Sequence, residues 1–357
     1  MAFEFGMFHE FQRPSGITEE EAFATSFEQI DAAERWGLDA MWLAEIHVAP
    51  ERSVCSAPLT LASAIAARTK RMKIGTGVQV LPLCHPLRLA EEAATVDQIS
   101  HGRLIFGVGR SGFPRTYEAY GVPYAESRER FAEVLEILRR AFTNERFSFA
   151  GDFYKFENIS LVPKPFQQPY PEIRIATTSP DTYAVNGALG YPIFCATRLG
   201  DLSELGPLLR TYREAWVAAG HPGQGQVFLR VPVYLAETAE RARSEPEASV
   251  MHFYRYLGQR IEQSATSAGA RAIEDRSARG QKLQSIDYDE ALRNKIIVGT
   301  PDQVEERLNA LRAELGLNGI LAELNCGGQI PRQQMMTSLQ LLCEQVIPRF
   351  KDAPATH

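Results

Sequence analysis

The stretch Met72–Gly112, MKIGTGVQVLPLCHPLRLAEEAATVDQISHGRLIFGVGRSG, decides the fold of this chain. Its apolar, β-branched run Ile74–Leu81 predicts a buried strand. A helix is predicted from about Leu87 to Ser100, and Gly102 follows at the position where a residue in the left-handed conformation often ends a helix. A second buried strand, Leu104–Val108, comes next. Strand, helix and strand in this order predict a β-α-β unit with two parallel strands.

The rest of the chain repeats this unit. Capping boxes at Thr18–Glu21 and Thr300–Gln303 predict two further helix starts. The alternation favours an α/β fold, a (β/α)8 TIM barrel with insertions, formed by residues 1–357 as one domain. A doubly wound sheet is the structural rival, but no G-x-G-x-x-G fingerprint follows the first strand. The predicted strands are Phe3–Phe8, Asp39–Leu43, Ile74–Leu81, Leu104–Val108, Glu172–Ala176, Pro192–Ala196, Gln226–Leu235 and Gly319–Leu324.

One polar segment does not fit the repeat. A helix is predicted at Glu237–Leu257, and the stretch after it, about Gln259–Asp289, is rich in Arg, Gln and Ser. Structureless stretches of this length inside a compact domain are usually active-site loops or disorder. We therefore expect a mobile lid insertion at about 259–289.

The composition argues against several classes of function. A net charge of −6 over 357 residues disfavours a nucleic-acid partner. The sequence contains no run of 18 apolar residues, so no membrane span is predicted. The N-terminus shows no signal-peptide pattern, and we expect a cytoplasmic protein. The five cysteines lack the spacing of metal ligands, and no metal site is predicted.

The two loops of the opening unit are the first candidates for function. In barrels, the loops beyond the carboxyl ends of the strands carry function. Gly77 and Val78 interrupt the first strand, and a glycine there often marks the close approach of a ligand. Gly109, Arg110 and Ser111 follow the second strand, where a guanidinium fork and backbone N–H groups suit a phosphate. From composition alone, it is at least as plausible that Arg110 is an ordinary surface residue that binds no ligand.

Two more polar groups follow predicted strands. Thr177, Thr178 and Ser179 come after the fifth strand and before a helix, which predicts an anion site at the helix N-terminus. Simple helix capping is the alternative. Glu45 and His47 come after the second strand, where His47 could act as acid or base with Glu45 orienting it. A structural network beneath a loop explains this pair equally well.

Six segments of the chain together resemble one family. The longest is VLPLCHPLRLAEEAATVDQISHGRLIFGVGR (Val80–Arg110), with the pattern LP-x-x-HP-x-R-x-AE…DQ-x-S-x-GR. It resembles the bacterial luciferase-like flavin-dependent monooxygenases, which include the alkanal monooxygenase α chain. The resemblance covers nearly the whole chain. The other segments are MWLAEIHV (Met41–Val48), RTKRMKIGTG (Arg68–Gly77), EIRIATTSP (Glu172–Pro180), IIVGTPDQVEERL (Ile296–Leu308) and QVIPRFK (Gln345–Lys351).

The resemblance implies a fold, a cofactor and partners. The fold would be a (β/α)8 barrel with insertions, usually dimeric, and we expect a homodimer. The cofactor would be FMN, supplied in its reduced form, FMNH2, by a separate flavin reductase. With O2 it would form a C4a-peroxyflavin that oxygenates a small organic substrate.

The resemblance also implies roles for particular residues. Arg110 matches the arginine that contacts the FMN phosphate, and Thr177–Thr178 match a Glu-Ser pair of the phosphate loop. Gly77–Val78 match a peptide bond that is often cis and lies against the flavin ring. Glu45 matches a glutamate next to the active-site histidines, which makes Glu45 and His47 the expected catalytic residues.

Two departures from the family pattern refine the expectation. The luminescent α chain has two histidines after the glutamate, whereas this chain has Ile46 and His47. The first histidine assists luminescent aldehyde oxidation, so we expect no light emission here. Gly109 replaces a reactive cysteine, which predicts more room near the flavin and a substrate bulkier than a linear aldehyde.

Two other functions stay open at this point. One is a deazaflavin- or flavin-dependent hydride-transfer oxidoreductase of the same fold. The other is a non-catalytic flavin-binding subunit, which Ile46 and Gly109 would suit and the lid-like stretch argues against. We favour the two-component monooxygenase.

Overall fold

A computed structural model of the chain describes residues 3–197, 200–265 and 273–352. Its centre is a ring of parallel strands: β1 (Glu4–His9), β2 (Ala40–Leu43), β3 (Lys73–Thr76), β4 (Leu104–Gly109), β5 (Glu172–Ala176), β6 (Ile193–Ala196), β7 (Val227–Leu235) and β8 (Gly319–Glu323). Each strand pairs with the next in the chain, and β8 pairs with β1, with Glu4 beside Gly319. The predicted (β/α)8 barrel is confirmed.

Helices surround this ring. Both predicted capping boxes are present, at Thr18–Glu21 and Thr300–Gln303. None of the described helices is both long and apolar enough to cross a membrane. The α-helices are Glu19–Trp36, Pro58–Arg68, Pro86–Ser100, Pro114–Ala119, Ser127–Thr143, Pro180–Leu189, Leu202–Ala218, Ala239–Ser244, Glu247–Ala265, Ile273–Ser285, Tyr288–Asn294, Pro301–Leu315, Arg332–Leu341 and Ile347–Asp352.

Shorter elements complete the fold. The antiparallel strands Phe147–Ala150 and Lys155–Ile159 form a hairpin. A strand that was not predicted, Ile297–Gly299, pairs with the end of β7. Two 3₁₀ turns lie at Leu81–Leu83 and Tyr124–Glu126, and a π-helical stretch spans Leu342–Val346.

The opening unit differs from its prediction in one respect. The strand expected at Ile74–Leu81 is two strands, β3 and Gln79–Val80, because between them the chain leaves β2 and shifts its register on β4 by one residue. β3 pairs with both β2 and β4, whereas Gln79–Val80 pairs only with the end of β4. The Thr76 hydroxyl donates a hydrogen bond to the Gly107 carbonyl at 2.6 Å and fixes the point of change.

Large side chains fill the inside of the barrel. Trp42 is fully buried there and packs with Phe194, Phe228 and other apolar residues of the strands. Arg174 is also buried, with its guanidinium 3.5 Å from the Phe228 ring centroid and an ion pair to Glu4. The interior is therefore a packed core, and the space for a ligand lies above it, at the strand ends.

The polar stretch between β7 and β8 is helical where it is described. Two helices, Ala239–Ser244 and Glu247–Ala265, stand where one was predicted at Glu237–Leu257. The prediction of a structureless stretch at 259–289 is wrong for the described residues, which exclude 266–272. Helices Glu247–Ala265 and Ile273–Ser285, here called the helical pair, pack on each other. A Cβ at Gly258 would lie 2.6 Å from the Gly280 carbonyl oxygen, so the absence of side chains lets the helices cross closely. A small apolar cluster, which includes Tyr254, Leu257, Ile261 and Leu283, stabilises them.

Candidate active site at the mouth of the barrel

A cavity of about 930 Å³ opens at the carboxyl ends of the strands. This volume is in the upper part of the range for small-molecule and cofactor sites. The loops after β2, β3, β4 and β5 all reach it, which brings together nearly all the residues that the sequence singled out. The predicted residues that line it are Glu45, His47, Gly77, Val78, Gly109, Arg110, Ser111, Thr178 and Ser179.

Gly77 and Val78 lie between the two halves of the split strand. Their peptide bond is cis, as the resemblance implied. The Gly77 N–H donates to the Leu43 carbonyl at 2.6 Å, which holds this loop against the end of β2. The Val78 side chain lines the cavity and packs with Phe8 and other barrel residues.

Gly109 does not provide the extra room that the sequence suggested. A Cβ placed on Gly109 would lie 2.8 Å from Cγ2 and 3.0 Å from Cγ1 of Val78. The side chain of Val78 therefore occupies the space that the missing side chain of Gly109 leaves. The predicted extra room is therefore wrong, because the sequence could not show which neighbour fills the gap, and the size of the substrate stays a prediction.

Arg110 lies at the start of the loop after β4. One of its Nη atoms donates to the Ser127 hydroxyl at 2.8 Å, and its carbonyl accepts a hydrogen bond from the Tyr117 hydroxyl. Its guanidinium lies 5.5 Å from the Tyr124 ring centroid. Across the described ranges, no carboxylate lies within ion-pair distance of Arg110. A half-buried cation without a carboxylate partner is suited to hold an anion.

Several of the other cavity arginines have carboxylate partners. Arg128 pairs with Asp181 at 2.7 Å, and Arg139 pairs with Glu136 at 2.8 Å. Arg230, on β7, pairs with Glu323 at 2.8 Å. These pairs neutralise part of the positive charge of the walls. Among the described residues, Arg110 shares the lack of a carboxylate partner with Arg260, Arg276 and Arg279, which line the cavity from the segment after β7.

The segment after β5 supplies two of its three predicted groups. Thr178 and Ser179 line the cavity at the N-terminus of helix Pro180–Leu189, where N–H groups favour an anion. Ser179 is the N-cap residue, but its side chain makes no capping hydrogen bond, so the capping alternative is wrong for it. Thr177 is the exception to the prediction. Its side chain is fully buried and accepts a hydrogen bond from Asn186 at 2.7 Å, so its hydroxyl does not face the cavity.

Glu45 and His47 form a hydrogen-bonded pair in the cavity wall. Glu45 Oε1 and His47 Nε2 are 2.7 Å apart, and the side chains are only 3% and 9% exposed. Glu45 Oε2 accepts from the Gln79 side chain at 2.7 Å and from the Val80 N–H at 2.8 Å. Because an ionised carboxylate only accepts, His47 Nε2 carries a proton.

The second ring nitrogen of His47 faces Tyr120. The Tyr120 hydroxyl lies 2.9 Å from His47 Nδ1, and its ring packs edge-on against the imidazole. Burial, together with the negative charge of Glu45, raises the pKa of Tyr120, so the phenol keeps its proton at neutral pH. Burial and Glu45 likewise raise the pKa of the neighbouring Cys84 to about 12. The imidazole is thus oriented through both of its nitrogens.

Sequence reasoning missed several residues of this site. Gln79 and Tyr120 bind the Glu45–His47 pair, but nothing in their sequence context marks them. Tyr124 and Arg276 lie beside Arg110. Only the polar character of 259–289 pointed to the segment that carries Arg276.

The mouth of this barrel, with Arg110 and a helix N-terminus in the same cavity as a hydrogen-bonded Glu45–His47 pair, suits a ligand that carries a phosphate. The sequence profile of the luciferase-like monooxygenases matches residues 3–319, and the chain belongs to this family. A flavin-type cofactor follows from this membership.

Similar proteins agree on the family and differ in cofactor. The oxygenase component of a flavin-dependent trigonelline monooxygenase from Acinetobacter baylyi is 26% identical over 98% of this chain and 96% of its own length. An F420-dependent glucose-6-phosphate dehydrogenase from Kineococcus radiotolerans is 30% identical over 59% of this chain and 64% of its own. Among solved structures, the oxygenating constituent of 3,6-diketocamphane monooxygenase of Pseudomonas putida, in complex with FMN, superposes with a TM-score of 0.81. It is 23% identical and covers 98% of this chain and 99% of that one.

Proposed function

We propose that this chain is the oxygenase component of a two-component monooxygenase. It uses FMNH2 and O2 to oxygenate a small organic substrate, and it emits no light. The observation that carries the proposal is the union, in one cavity, of an arginine without a carboxylate partner and an oriented Glu45–His47 pair. The balanced reaction is FMNH2 + O2 + substrate → FMN + oxygenated substrate + H2O.

The chain offers a fitting site for the cofactor. Arg110 would bind the phosphate, with the hydroxyls of Thr178 and Ser179 and the N-terminus of helix Pro180–Leu189 beside it. Gly77 and Val78 would lie against the ring. When bound, FMNH2 supplies the two electrons that convert one atom of O2 to water while the other enters the substrate.

His47 is the proposed acid and base. Its Nε2 holds a proton toward Glu45, which leaves Nδ1 as the nitrogen that can accept a proton from the cavity or return it. A substrate oxygen that replaces the Tyr120 hydroxyl at Nδ1 would exchange a proton there. Gln79 and the Val80 N–H keep Glu45 in place, so the imidazole needs no rearrangement to act.

Apolar side chains exclude water from the reacting end of the cavity. Phe8, Ile46, Val78 and Phe194 line the wall near His47 and pack on one another. Expulsion of water strengthens electrostatic interactions and suppresses side reactions such as release of H2O2. Ile46 also replaces the histidine that the resemblance links to luminescence, which supports a non-luminescent reaction.

Three further features belong to this proposal. The helical pair serves as the lid of the cavity, since Tyr256, Arg260 and Arg276 of this segment line it. A separate flavin reductase supplies FMNH2, in line with the relative described as an oxygenase component. The chain forms a homodimer, which sedimentation or light scattering of the purified protein tests directly.

Product analysis under ¹⁸O₂ tests the proposed reaction. The protein is mixed with a flavin reductase, NADH, FMN and a panel of ketones, aldehydes and N-heterocycles that includes trigonelline. We expect one ¹⁸O atom in a product and O2 uptake that matches product formation. Conversion of every supplied electron pair into H2O2 across the panel would contradict oxygenation. Light emission with a long-chain aldehyde, above that of a reductase-only control, would contradict the non-luminescent assignment.

A hydride-transfer oxidoreductase is the second candidate, because an F420-dependent dehydrogenase is among the relatives. Titration of the protein with FMNH2 and with reduced F420 under anaerobic conditions separates the two. Tighter binding of F420, with its oxidation by a substrate in the absence of O2, would favour this candidate. FMN binding without any turnover until a homologous chain is added would instead indicate a non-catalytic subunit.

A further inference from the structure

Arg276 of the helical pair reaches the loop that carries Arg110. One Nη of Arg276 donates to the Gly112 carbonyl at 3.3 Å and to the Ser264 hydroxyl at 2.9 Å. The other Nη donates to the Tyr124 hydroxyl at 3.0 Å. Gly112 is two residues from Arg110 in the chain, so an insertion after β7 and the loop after β4 meet here.

Both arginines lie close to one aromatic ring. The Cζ atoms of Arg110 and Arg276 lie 5.5 Å and 5.9 Å from the centroid of Tyr124. Both side chains line the same cavity. An anion bound in this cavity beside Tyr124 would therefore be attracted by both positive charges.

The hydrogen bonds of Arg276 leave its charge without compensation. Its three acceptors, in Gly112, Tyr124 and Ser264, are all neutral oxygens. In the part of the chain that the structure describes, no carboxylate pairs with Arg276. A guanidinium has five N–H donors, so two remain for a ligand after these three bonds.

We propose that Arg276 is a second ligand of the cofactor phosphate, delivered by the helical pair and facing Arg110. This inference rests on the proposed function, because it takes the phosphate to be that of FMN. A phosphate monoester carries close to two negative charges at pH 7, which two guanidinium groups match. The helical pair then senses the phosphate directly, and the lid closes over a cofactor that carries one.

Paired titrations with FMN and riboflavin test the role of Arg276, because riboflavin lacks only the phosphate. We expect wild-type protein to bind reduced FMN more tightly than reduced riboflavin. Arg276→Ala should reduce that preference by roughly 10-fold or more, as expected for loss of hydrogen bonds to a charged group. Riboflavin affinity should stay unchanged, which also shows that the variant is folded.

A matched variant controls for net charge. Arg255→Ala removes one exposed positive charge from the same helical pair, outside the cavity. It should leave the preference for FMN within about twofold of wild type, since an exposed, distant charge is screened by salt. Arg276→Lys should restore only part of the preference, because an ammonium lacks the planar fork.

The outcomes separate this inference from the proposed function. A wild-type preference for FMN that survives Arg276→Ala would overturn the role of Arg276 and leave the flavin site intact. An equal loss in Arg255→Ala would also overturn it, because the effect would then be one of total charge. Failure of the wild type to bind either flavin would refute the proposed function itself.

Discussion

Replacement of Gly109 by alanine tests how closely the flavin end of the cavity is packed. The added Cβ would lie 2.8 Å from Cγ2 and 3.0 Å from Cγ1 of Val78, whereas ordinary contacts begin at 3.4 Å. Val78 cannot easily turn away, because β-branched side chains have few χ1 rotamers and this one packs on Phe8. Overpacking of this kind costs roughly 1–3 kcal/mol. We expect Gly109→Ala to lower the free energy of unfolding by that amount.

The second half of the experiment removes the obstructing methyl groups. In a Val78→Ala background, two of the three nearest atoms to the Cβ of Gly109→Ala are removed, and the Val78 Cβ remains at 3.2 Å. The penalty should then fall to a few tenths of a kcal/mol, which gives a coupling energy of about 1–2 kcal/mol between the two positions. The Val78→Ala variant alone should open the cavity and accept substrates too bulky for the wild type.

Urea unfolding of the four proteins of this cycle measures the coupling. Gly112→Ala is the matched control, because it lies in the same loop and a Cβ there would meet nothing within 4 Å. It should change the unfolding free energy by less than about 0.5 kcal/mol. If Gly109→Ala were as mild as Gly112→Ala, or equally costly with and without Val78→Ala, the reasoning would be refuted.

Three further predictions concern the phosphate loop, the catalytic pair and a buried histidine. Arg110→Ala should weaken FMN binding by about 1.5–3 kcal/mol if the guanidinium holds the phosphate; an unchanged dissociation constant in a fluorescence titration would remove Arg110 from the site. Tyr120→Phe should lower kcat by roughly 2- to 10-fold and move the pH profile, because His47 loses its Nδ1 partner; stopped-flow rates between pH 6 and 9, with FMN affinity as the control, check this. Burial lowers the pKa of His9 from 6.5 to about 4, so the folded chain resists its protonation while the unfolded chain does not. Stability should therefore fall by about 3 kcal/mol as the pH drops from 6.5 to 4, and His9→Gln should lose this component in urea titrations at each pH.

Local sequence signals predicted most of the barrel. β5 and the helices that begin after Thr18 and Thr300 lie where they were expected, because each is bounded by a clear signal such as a polar turn or a capping box. The predicted strand Ile74–Leu81 is wrong at its middle, since only the neighbouring strands decide where a chain leaves one neighbour and shifts its register on the other. The prediction for 259–289 was wrong because the few apolar residues of this stretch form a buried core only when two helices pack together.

The candidate site was predictable in its positions but not in its contacts. Arg110, Glu45 and His47 follow strands, and the geometry of a barrel places them at one mouth. Thr177 turns inward because it accepts a hydrogen bond from Asn186, and Gly109 leaves no gap because the Val78 side chain fills it. Contacts of this kind join residues on different elements, so no local pattern contains them.

The pairing of β1 with β8 has a consequence for biosynthesis. β1 leaves the ribosome first, yet one of its two neighbours, Gly319–Glu323, is made some 300 residues later. Until then the nascent sheet has two open edges, and such edges template association with other chains. A message truncated before codon 319 would yield an aggregation-prone partial barrel, so this protein should depend on chaperones until its last strand has been translated.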